Sequence, residues 1–248
     1  MKRFFDPSRT LLSPSDIVLS FTGKSIQELS LPARALVTFS AGDLKRATNN
    51  EKTIINVAWR PFRTIHHMKG SDTVITQCSF GGPNIAALVE ELAAFGMKEC
   101  VLWGYCGAIR SGINIGDVIV AKKALREDGV SYHYLKEDED FVESNWFEKW
   151  VFAKDDYAFR EGAIWSCDAI YRETEEKISR YGGKDILGVE MEVASFYAVC
   201  RHVGVKGIAF LVVSDTFRDG RWKSGFHTKP FKEGIKRLTE FVLDKVIR

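Results

Sequence analysis

Three carboxyl groups in the second half of the chain stand where chemistry can be expected. Glu190 and Glu192 flank Met191 at the start of a segment whose apolar residues have helical spacing. Acidic side chains suit the first turn of a helix, and a glutamate there can accept hydrogen bonds from vicinal hydroxyl groups. Asp215 follows the strand-like apolar run 208–213, and ligands of open α/β sheets bind beyond the carboxyl ends of strands. Asp215 is therefore a candidate acid. Taken singly, each residue is explained equally well as a helix-start charge or a turn residue.

A pair of glycines lies between a strand-like run and a helix-like run, in the segment FGGPN at 80–84. Glycine lets the backbone approach an anion closely, and the free N–H groups at the start of a helix favour negative charge. The segment is thus suited to hold a phosphate or a ribose oxygen. The alternative is a plain strand-to-helix turn in which Asn84 caps the helix.

Strand-like and helix-like segments alternate along the chain. Several strand-like runs are continuously apolar, which is typical of strands buried in a mostly parallel sheet. Gly96 gives the first predicted helix a C-terminal stop. The alternation predicts an α/β fold whose central, mostly parallel or mixed sheet is flanked by helices. The predicted strands are 35–39, 53–57, 73–78, 99–103, 118–121 and 208–213, and the predicted helices are 84–95, 190–203 and 231–246.

The sequence contains no linker rich in proline, glycine or serine that would divide it into separate domains. A length of 248 residues is enough for one large α/β domain with a substantial core. We therefore expect a single domain over residues 1–248, in which 1–34 form a less regular N-terminal extension.

Charge and composition limit the classes of partner. With 45% apolar residues, 27% charged residues and a net charge of +2, the chain gives no reason to expect binding to nucleic acid or to a membrane. No apolar run reaches the length of a membrane span, and the amino terminus lacks the apolar core of a signal peptide, so we expect a cytoplasmic protein. The five cysteines are dispersed and the five histidines lack metal-ligand spacing, so we expect reduced thiols and no bound metal.

Six short motifs, each containing glycine or an acidic residue, follow one another along the chain: GDLKR (42–46), FGGPN (80–84), GYCGA (104–108), GDVIV (116–120), VEME (189–192) and VSD (213–215). In this order they resemble the nucleoside phosphorylase superfamily, which includes purine nucleoside phosphorylases, uridine phosphorylases and related nucleosidases. The resemblance runs from about Leu36 to Val246. Its stretch from Trp165 to Tyr197 is especially similar to bacterial and archaeal members that carry a D-x-x-Y-R-E-T segment. The family's fold is also α/β, with a sheet that is partly barrel-like.

The resemblance implies a phosphate site at the first motif. Carried over from the family, the backbone N–H of Gly42 and the guanidinium of Arg46 would bind phosphate, whose geometry a guanidinium matches. A second arginine would come from a neighbouring subunit, and either Arg60 or Arg63 lies near the matching place.

The chain departs from the family pattern at the third motif. Many members have an arginine two residues before the first glycine of a G-[ST]-x-G turn, and a serine or threonine directly after it. This chain has Leu102 and Tyr105 at those places. The tyrosine hydroxyl could replace one hydrogen bond but not a charge. Arg126 is a candidate to compensate, and a surface loop charge explains it equally well.

The sugar and base contacts are implied by the later motifs. Glu192 would hold the ribose hydroxyls, with Met191 and Glu190 beside the sugar. A ring at Trp165 or Tyr171 could stack on the base, although a core position is the commoner fate of a tryptophan. The full set implied for the base is Cys106, Gly107, Trp165 and Ser214.

The resemblance implies a pentosyltransferase that cleaves the N-glycosidic bond of purine nucleosides with phosphate, giving free base and ribose 1-phosphate. Purine is favoured because Ser214 and Asp215 match the purine-specific members. Asp215 would give a proton to the departing base. Phosphate would be the co-substrate, with no further cofactor, and the enzyme would be a homo-oligomer built from dimers, a hexamer being one such size. The alternatives are a nucleosidase that uses water, a uridine phosphorylase, and a non-catalytic nucleoside-binding protein.

Overall fold

The computed structural model describes residues 4–48, 53–136, 138–150, 156–218 and 220–246. Within these ranges an 11-stranded sheet runs through the molecule. Its strands are β1 (Arg34–Thr38), β2 (Thr53–Ile55), β3 (Ile65–Met68), β4 (Thr73–Gln77), β5 (Glu99–Ala108), β6 (Val118–Glu127), β7 (Phe141–Glu143), β8 (Arg160–Cys167), β9 (Ile186–Glu190), β10 (Lys206–Arg218) and β11 (Arg221–Ser224).

Helices cover both faces of this sheet. The last of them continues into a π-helical turn, Val242–Val246. None of the helices in the described part of the chain is long and apolar enough to cross a membrane. The helices are α1 (Pro14–Thr22), α2 (Ile26–Leu29), α3 (Ala41–Thr48), α4 (Gly82–Ala94), α5 (Ser131–Tyr134), α6 (Glu175–Gly182), α7 (Val193–Val203) and α8 (Lys229–Phe241).

Four parallel strands form the centre of the sheet. β5 pairs with β1 on one side and with β10 on the other, and β4 lies beyond β1. Successive side chains of a strand point to opposite faces. In β5, Leu102 accordingly joins the apolar core that includes residues of α4 and α7, whereas Val101 and Trp103 join the core that includes residues of α8. Burial on both faces explains the continuous apolar runs seen in the sequence.

The sheet closes on itself at one side. β10 pairs with β6, β6 with β8, β8 with β9, and β9 returns to β5, which is already paired with β10. This ring of five strands makes that part of the sheet a small barrel. The prediction of a single α/β domain with a mixed, partly barrel-like sheet is confirmed.

The predicted elements are found, with several differences. β5, β6 and β10 extend beyond their apolar runs, and β3, β7, β8, β9 and β11 were not predicted from the sequence. Helix α7 begins at Val193 rather than at Glu190, because Glu190 ends β9. Helix α4 begins at Gly82 with Gly81 as its N-cap, so Asn84 is not the cap; its side-chain amide donates to the carbonyl of Phe80 at 2.6 Å.

The barrel closure places β9 very close to β5. Gly188 pairs with Ala108, and a Cβ atom added at Gly188 would lie 2.8 Å from the carbonyl oxygen of Gly107 and 3.3 Å from the Sγ of Cys106. A backbone atom cannot move aside as the end of a flexible side chain can. The close approach of the two strands therefore requires glycine at this position.

We predict that Gly188→Ala destabilises the fold by about 1–3 kcal/mol, the usual cost of overpacking a closed core. Chemical denaturation of the purified protein measures the change. Gly129→Ala is the matched control, because its added Cβ would meet only Asp168 Oδ2, at an ordinary contact distance of 3.5 Å. Equal stability of the two variants would contradict the close packing described for the closure.

Candidate active site

Several of the predicted site residues lie at the edge of the sheet where β1, β4, β5 and β10 end. Because these strands are parallel, the loops that follow them meet at one edge, which is where open α/β sheets bind ligands. Helices α3 and α4 begin there, directly after β1 and β4. The start of α7 is joined to the start of α4 by a hydrogen bond from the Gly81 N–H to the carboxylate of Glu192, at 2.6 Å.

Glu190 caps the start of α7. Its Oε2 accepts the backbone N–H groups of Glu192 at 2.6 Å and Val193 at 2.8 Å, while Oε1 accepts the hydroxyl of Ser166. The Ser166 oxygen in turn accepts the N–H of Ala194 at 2.8 Å. Four groups that a helix start and a strand end would leave unpaired are thus satisfied within a buried network. Glu190 is a structural capping residue, and its two oxygens are already occupied.

Glu192 lies beside Glu190, and its carboxylate has fewer hydrogen-bond partners. The side chain is nearly buried, and the hydrogen bond from Gly81 holds one carboxylate oxygen. The adjacent Met191 is half-buried. Of the three residues predicted to hold the ribose, Glu192 and Met191 therefore remain available, whereas Glu190 positions Glu192 by fixing the backbone around it.

The two glutamates affect each other electrostatically. Burial raises the pKa of Glu190, the charge of Glu192 raises it further, and the hydrogen bonds from Ser166 and the backbone oppose both. Burial likewise raises the pKa of Glu192, against the effect of N–H donors and with a smaller contribution from the charge of Asp168. Buried carboxylates this close titrate as a pair, and ionising both is costly.

Asp215 is positioned by a break in the pairing of β10 with β5. The register shifts between Val213 and Asp215, and this bulge brings Asp215 opposite Gly107. Bulges commonly re-aim a side chain beside an active site. A Cβ atom at Gly107 would lie 2.7 Å from Asp215 Oδ2, so glycine leaves the room the carboxyl group occupies. Ser214 Oγ lies 2.6 Å from Oδ1, and Trp222 Nε1 donates to Oδ2 at 2.8 Å.

The charge of Asp215 also acts on a further carboxyl group, that of Glu173. Burial raises the pKa of Glu173 to about 7, and the charge of Asp215 adds to the effect. Sequence reasoning did not select Glu173 as a site residue. The sequence feature that could have indicated Glu173 is its position immediately before Thr174, the N-cap of α6. The start of a helix fixes the backbone of the residues next to it.

The structure separates the residues predicted to bind the base. Cys106 and Gly107 lie next to Asp215, and Ser214 Oγ lies 3.2 Å from the Cys106 carbonyl oxygen, so these three are together. Trp165 is not with them: its ring is 0% exposed and packs edge-on against Tyr181 at 4.7 Å between centroids. Within the structure Trp165 is a core residue and offers no face to a ligand. Tyr171, the alternative ring, is 94% exposed.

A chain of three polar side chains joins α3 to β5. Asp43 is fully buried; its Oδ2 accepts the hydroxyl of Tyr105 at 2.6 Å, and its Oδ1 lies 2.5 Å from Nη2 of Arg46. The Arg46 side chain is still 48% exposed, and two of its guanidinium nitrogens lie 3.8 and 3.9 Å from the position of a Cβ atom on Gly42. Arg46 and Gly42 are thus side by side. The Tyr105 hydroxyl donates a hydrogen bond to Asp43, and burial followed by the charge of Asp43 raises the pKa of Tyr105.

The other predicted arginines differ in whether their guanidinium groups are exposed or already paired within the chain. Arg63 is paired with the carboxylate of Glu91 on α4, whereas Arg60 is exposed. Arg126 is buried and donates to the carbonyls of Lys136 and Glu139 at 2.8 and 2.9 Å, so it holds a loop together and is not free to compensate in an anion site.

Comparison with known proteins now identifies the family. The sequence profile described as the phosphorylase superfamily matches residues 33–248. The chain belongs to the phosphorylase superfamily. Guanosine phosphorylase of Halorubrum lacusprofundi is 29% identical over 207 residues, which span 81% of this chain and 82% of that protein. Purine nucleoside phosphorylase DeoD-type of Pectobacterium atrosepticum is 31% identical over 182 residues, 71% of this chain and 76% of that protein.

Solved structures of the phosphorylase superfamily have the same fold. Purine nucleoside phosphorylase of Toxoplasma gondii superposes with a TM-score of 0.75 at 19% identity, covering 90% of this chain and 94% of the other. Uridine phosphorylase of Vibrio fischeri superposes with a TM-score of 0.71 at 20% identity, covering 87% and 92%. Membership confirms the resemblance seen in the motifs and the expectation of an enzyme of the pentosyltransferase class.

The raised pKa values of Glu190 and Glu192 indicate that the stability of the protein falls as the pH rises. Because both pKa values are raised, the folded protein keeps protons that the unfolded chain releases, so the contribution of these two groups to stability should be fully present below about pH 4.5 and be lost as the pH rises to about 8. Glu190→Gln should flatten the decline, since the amide cannot ionise. Thermal unfolding of the ligand-free protein across this pH range measures it, with exposed Glu148→Gln as control. A variant slope equal to that of the unmodified protein would argue against a coupled pair.

Proposed function

We propose that this protein is a purine nucleoside phosphorylase, which cleaves the N-glycosidic bond of purine nucleosides with inorganic phosphate as co-substrate and without another cofactor. The observation that carries the proposal is that three side chains meet at one sheet edge. Two donors fix the carboxyl group of Asp215, the carboxyl group of Glu192 is nearly buried, and the guanidinium of Arg46 is half-exposed. The named functions of the relatives, a guanosine phosphorylase and purine nucleoside phosphorylases, support the choice of purine.

The proposed reaction follows from where charge develops. As the bond between the base and the anomeric carbon breaks, positive charge grows on the ribose and negative charge on the departing purine. Asp215 gives a proton to the base, which neutralises the leaving group. Glu192 accepts hydrogen bonds from the ribose hydroxyls, with Met191 against the sugar, and Cys106, Gly107 and Ser214 border the base.

The phosphate is assigned to Gly42 and Arg46. Asp43 holds the guanidinium through one nitrogen and leaves the exposed side of Arg46 for an anion, while Tyr105 holds Asp43 from the opposite side. In this arrangement Tyr105 supports the anion site through Asp43 and does not itself contact phosphate. A guanidinium with a fixed orientation loses little freedom when it binds phosphate, which strengthens binding.

A nucleosidase that uses water remains the second candidate. Two observations favour it: Leu102, where many family members have an arginine, is fully buried in the core, and the Tyr105 hydroxyl is occupied by Asp43. Among the described residues, Arg46 is then the arginine whose exposed guanidinium lies beside Gly42. For a complete phosphate site we propose that a neighbouring subunit of a homo-oligomer supplies Arg60, since Arg63 is already paired with Glu91.

We predict that Asp215→Asn folds and binds nucleoside but loses about 10²–10⁴-fold in the rate of inosine cleavage, the usual contribution of general acid catalysis. The amide keeps the shape of the side chain and has no acidic proton to give. Steady-state kinetics with inosine and phosphate, together with direct measurement of nucleoside binding, separates catalysis from affinity. Near-normal activity of this variant would remove Asp215 from the mechanism.

We predict that Arg46→Ala raises the apparent KM for phosphate about 10- to 100-fold while the KM for inosine changes little, because charged hydrogen bonds contribute about 1.5–3 kcal/mol. Lys45→Ala is the matched control: Lys45 is a neighbouring exposed cation on the same helix and lies outside the proposed contact. Initial rates across a range of phosphate concentrations measure the effect. A rate that is independent of phosphate in the unmodified protein would favour the nucleosidase.

A further inference from the structure

Trp222 reaches Asp215 across the hairpin formed by β10 and β11. In this antiparallel pair Trp222 lies opposite Phe217 and Ser224 lies opposite Asp215. Side chains two residues apart share a face, so Trp222 is the diagonal neighbour of Asp215 on that face, a separation that long aromatic side chains can bridge. The indole Nε1 donates to Asp215 Oδ2 at 2.8 Å, and the tryptophan is 58% exposed.

An exposed tryptophan with its N–H directed at a carboxylate needs an explanation beyond packing. The indole N–H is a donor only, so it stabilises the ionised form of its partner. The charge of Asp215 contributes to the raised pKa of both Glu173 and Cys106, so acidic groups lie near one another at this place. The hydrogen bonds that Ser214 and Trp222 donate to Asp215 offset the repulsion between these acidic groups.

We propose that Trp222 is a positioning residue for the glycosidic cleavage, in which its indole N–H fixes the Asp215 carboxyl group and stabilises the carboxylate that forms when Asp215 protonates the departing base. The inference rests on the proposed function and assigns a role to a residue outside the family motifs. Hydrogen bonds that strengthen as charge develops lower the barrier, whereas those of equal strength before and after do not.

The proton and electrons balance as follows. The O–H bond of protonated Asp215 breaks and a new N–H bond forms at N7 of the purine. The electron pair of the bond between N9 and the anomeric carbon goes to the purine, and an oxygen of the inorganic phosphate bonds to the anomeric carbon. Asp215 is left as a carboxylate between Trp222 and Ser214, and it regains a proton from water after the base departs.

The test uses the variant Trp222→Phe, which keeps an aromatic ring on the hairpin and removes only the donor. Two substrates are compared, inosine and 7-methylinosine. The methylated base already carries positive charge and leaves as a neutral molecule without receiving a proton. We expect kcat for inosine to fall about 10-fold or more, the scale of a lost hydrogen bond to a charged group, and kcat for 7-methylinosine to change less than about 2-fold.

Lys223→Ala is the matched control, since Lys223 is an exposed residue of the same strand whose side chain points to the other face. It should leave both rates unchanged. Equal losses on the two substrates in Trp222→Phe would mean that Trp222 is merely structural, and unchanged rates on both would mean that the donor has no role. Either result overturns the inference.

A measurement without substrate separates this inference from the proposed function. In the folded protein the ¹H–¹⁵N resonance of the Trp222 indole should lie apart from that of an exposed indole, and in Asp215→Ala it should move to the exposed position. An indole resonance that does not respond to Asp215→Ala overturns the inference directly. Failure of the unmodified protein to cleave either nucleoside overturns the proposed function, and the resonance then still reports whether the hydrogen bond exists.

Discussion

The rest of the site depends on the hydrogen bonds that the buried carboxyl group of Glu190 accepts. This group joins the end of β9 to the first N–H groups of α7 and, through Ser166, to β8. An unpaired carboxylate would be costly to bury, so this network is stable only when all of its donors are present. Because the backbone is fixed there, the next residue but one, Glu192, is directed toward Gly81 at the start of α4. One capping interaction thus sets the direction of the Glu192 side chain toward a neighbouring loop.

A second constraint is the closeness of β5 to its neighbours. Gly107 leaves room for the carboxyl group of Asp215, and Gly188 lets β9 approach the same part of β5. Cys106, between these contacts, has its thiol pKa raised by burial and then by the charges of Asp215 and Glu190. Acidic groups from two sides of the barrel therefore converge on one short stretch of β5. Hydrogen-bond donors, namely backbone N–H groups, hydroxyls and one indole, offset their mutual repulsion.

Much of the fold was predictable because the buried parallel strands are continuously apolar and their connecting helices have clear periodicity. β8 and β9 were not, since β8 begins with the charged pair Arg160 and Glu161, and β9 contains Gly188, which is chosen for close approach rather than for strand propensity. Asp215 and Glu192 could be selected from motifs. The motifs could not show which side chains contact each other across the fold. The hydrogen bond from Tyr105 to Asp43, for example, joins residues that are 62 positions apart in the sequence.

The same limit explains the residues whose surroundings differ from expectation. Trp165 and Tyr171 are both aromatic residues near one motif, and only the packing against Tyr181 shows that the first is buried. Arg60 and Arg63 are equivalent in sequence, and the ion pair of Arg63 with Glu91 of α4 distinguishes them. Local sequence describes what a side chain can do, whereas its tertiary neighbours decide whether it is free to do it.

In the proposed function, carboxyl groups and a guanidinium at one sheet edge transfer ribose from a purine to phosphate. Phosphorus NMR of the unmodified protein, incubated with inosine and inorganic phosphate, tests this claim most directly. We expect a growing ribose 1-phosphate signal that matches the loss of phosphate and the release of hypoxanthine in equal amounts. Release of hypoxanthine with an unchanged phosphate signal and free ribose as the product would contradict it.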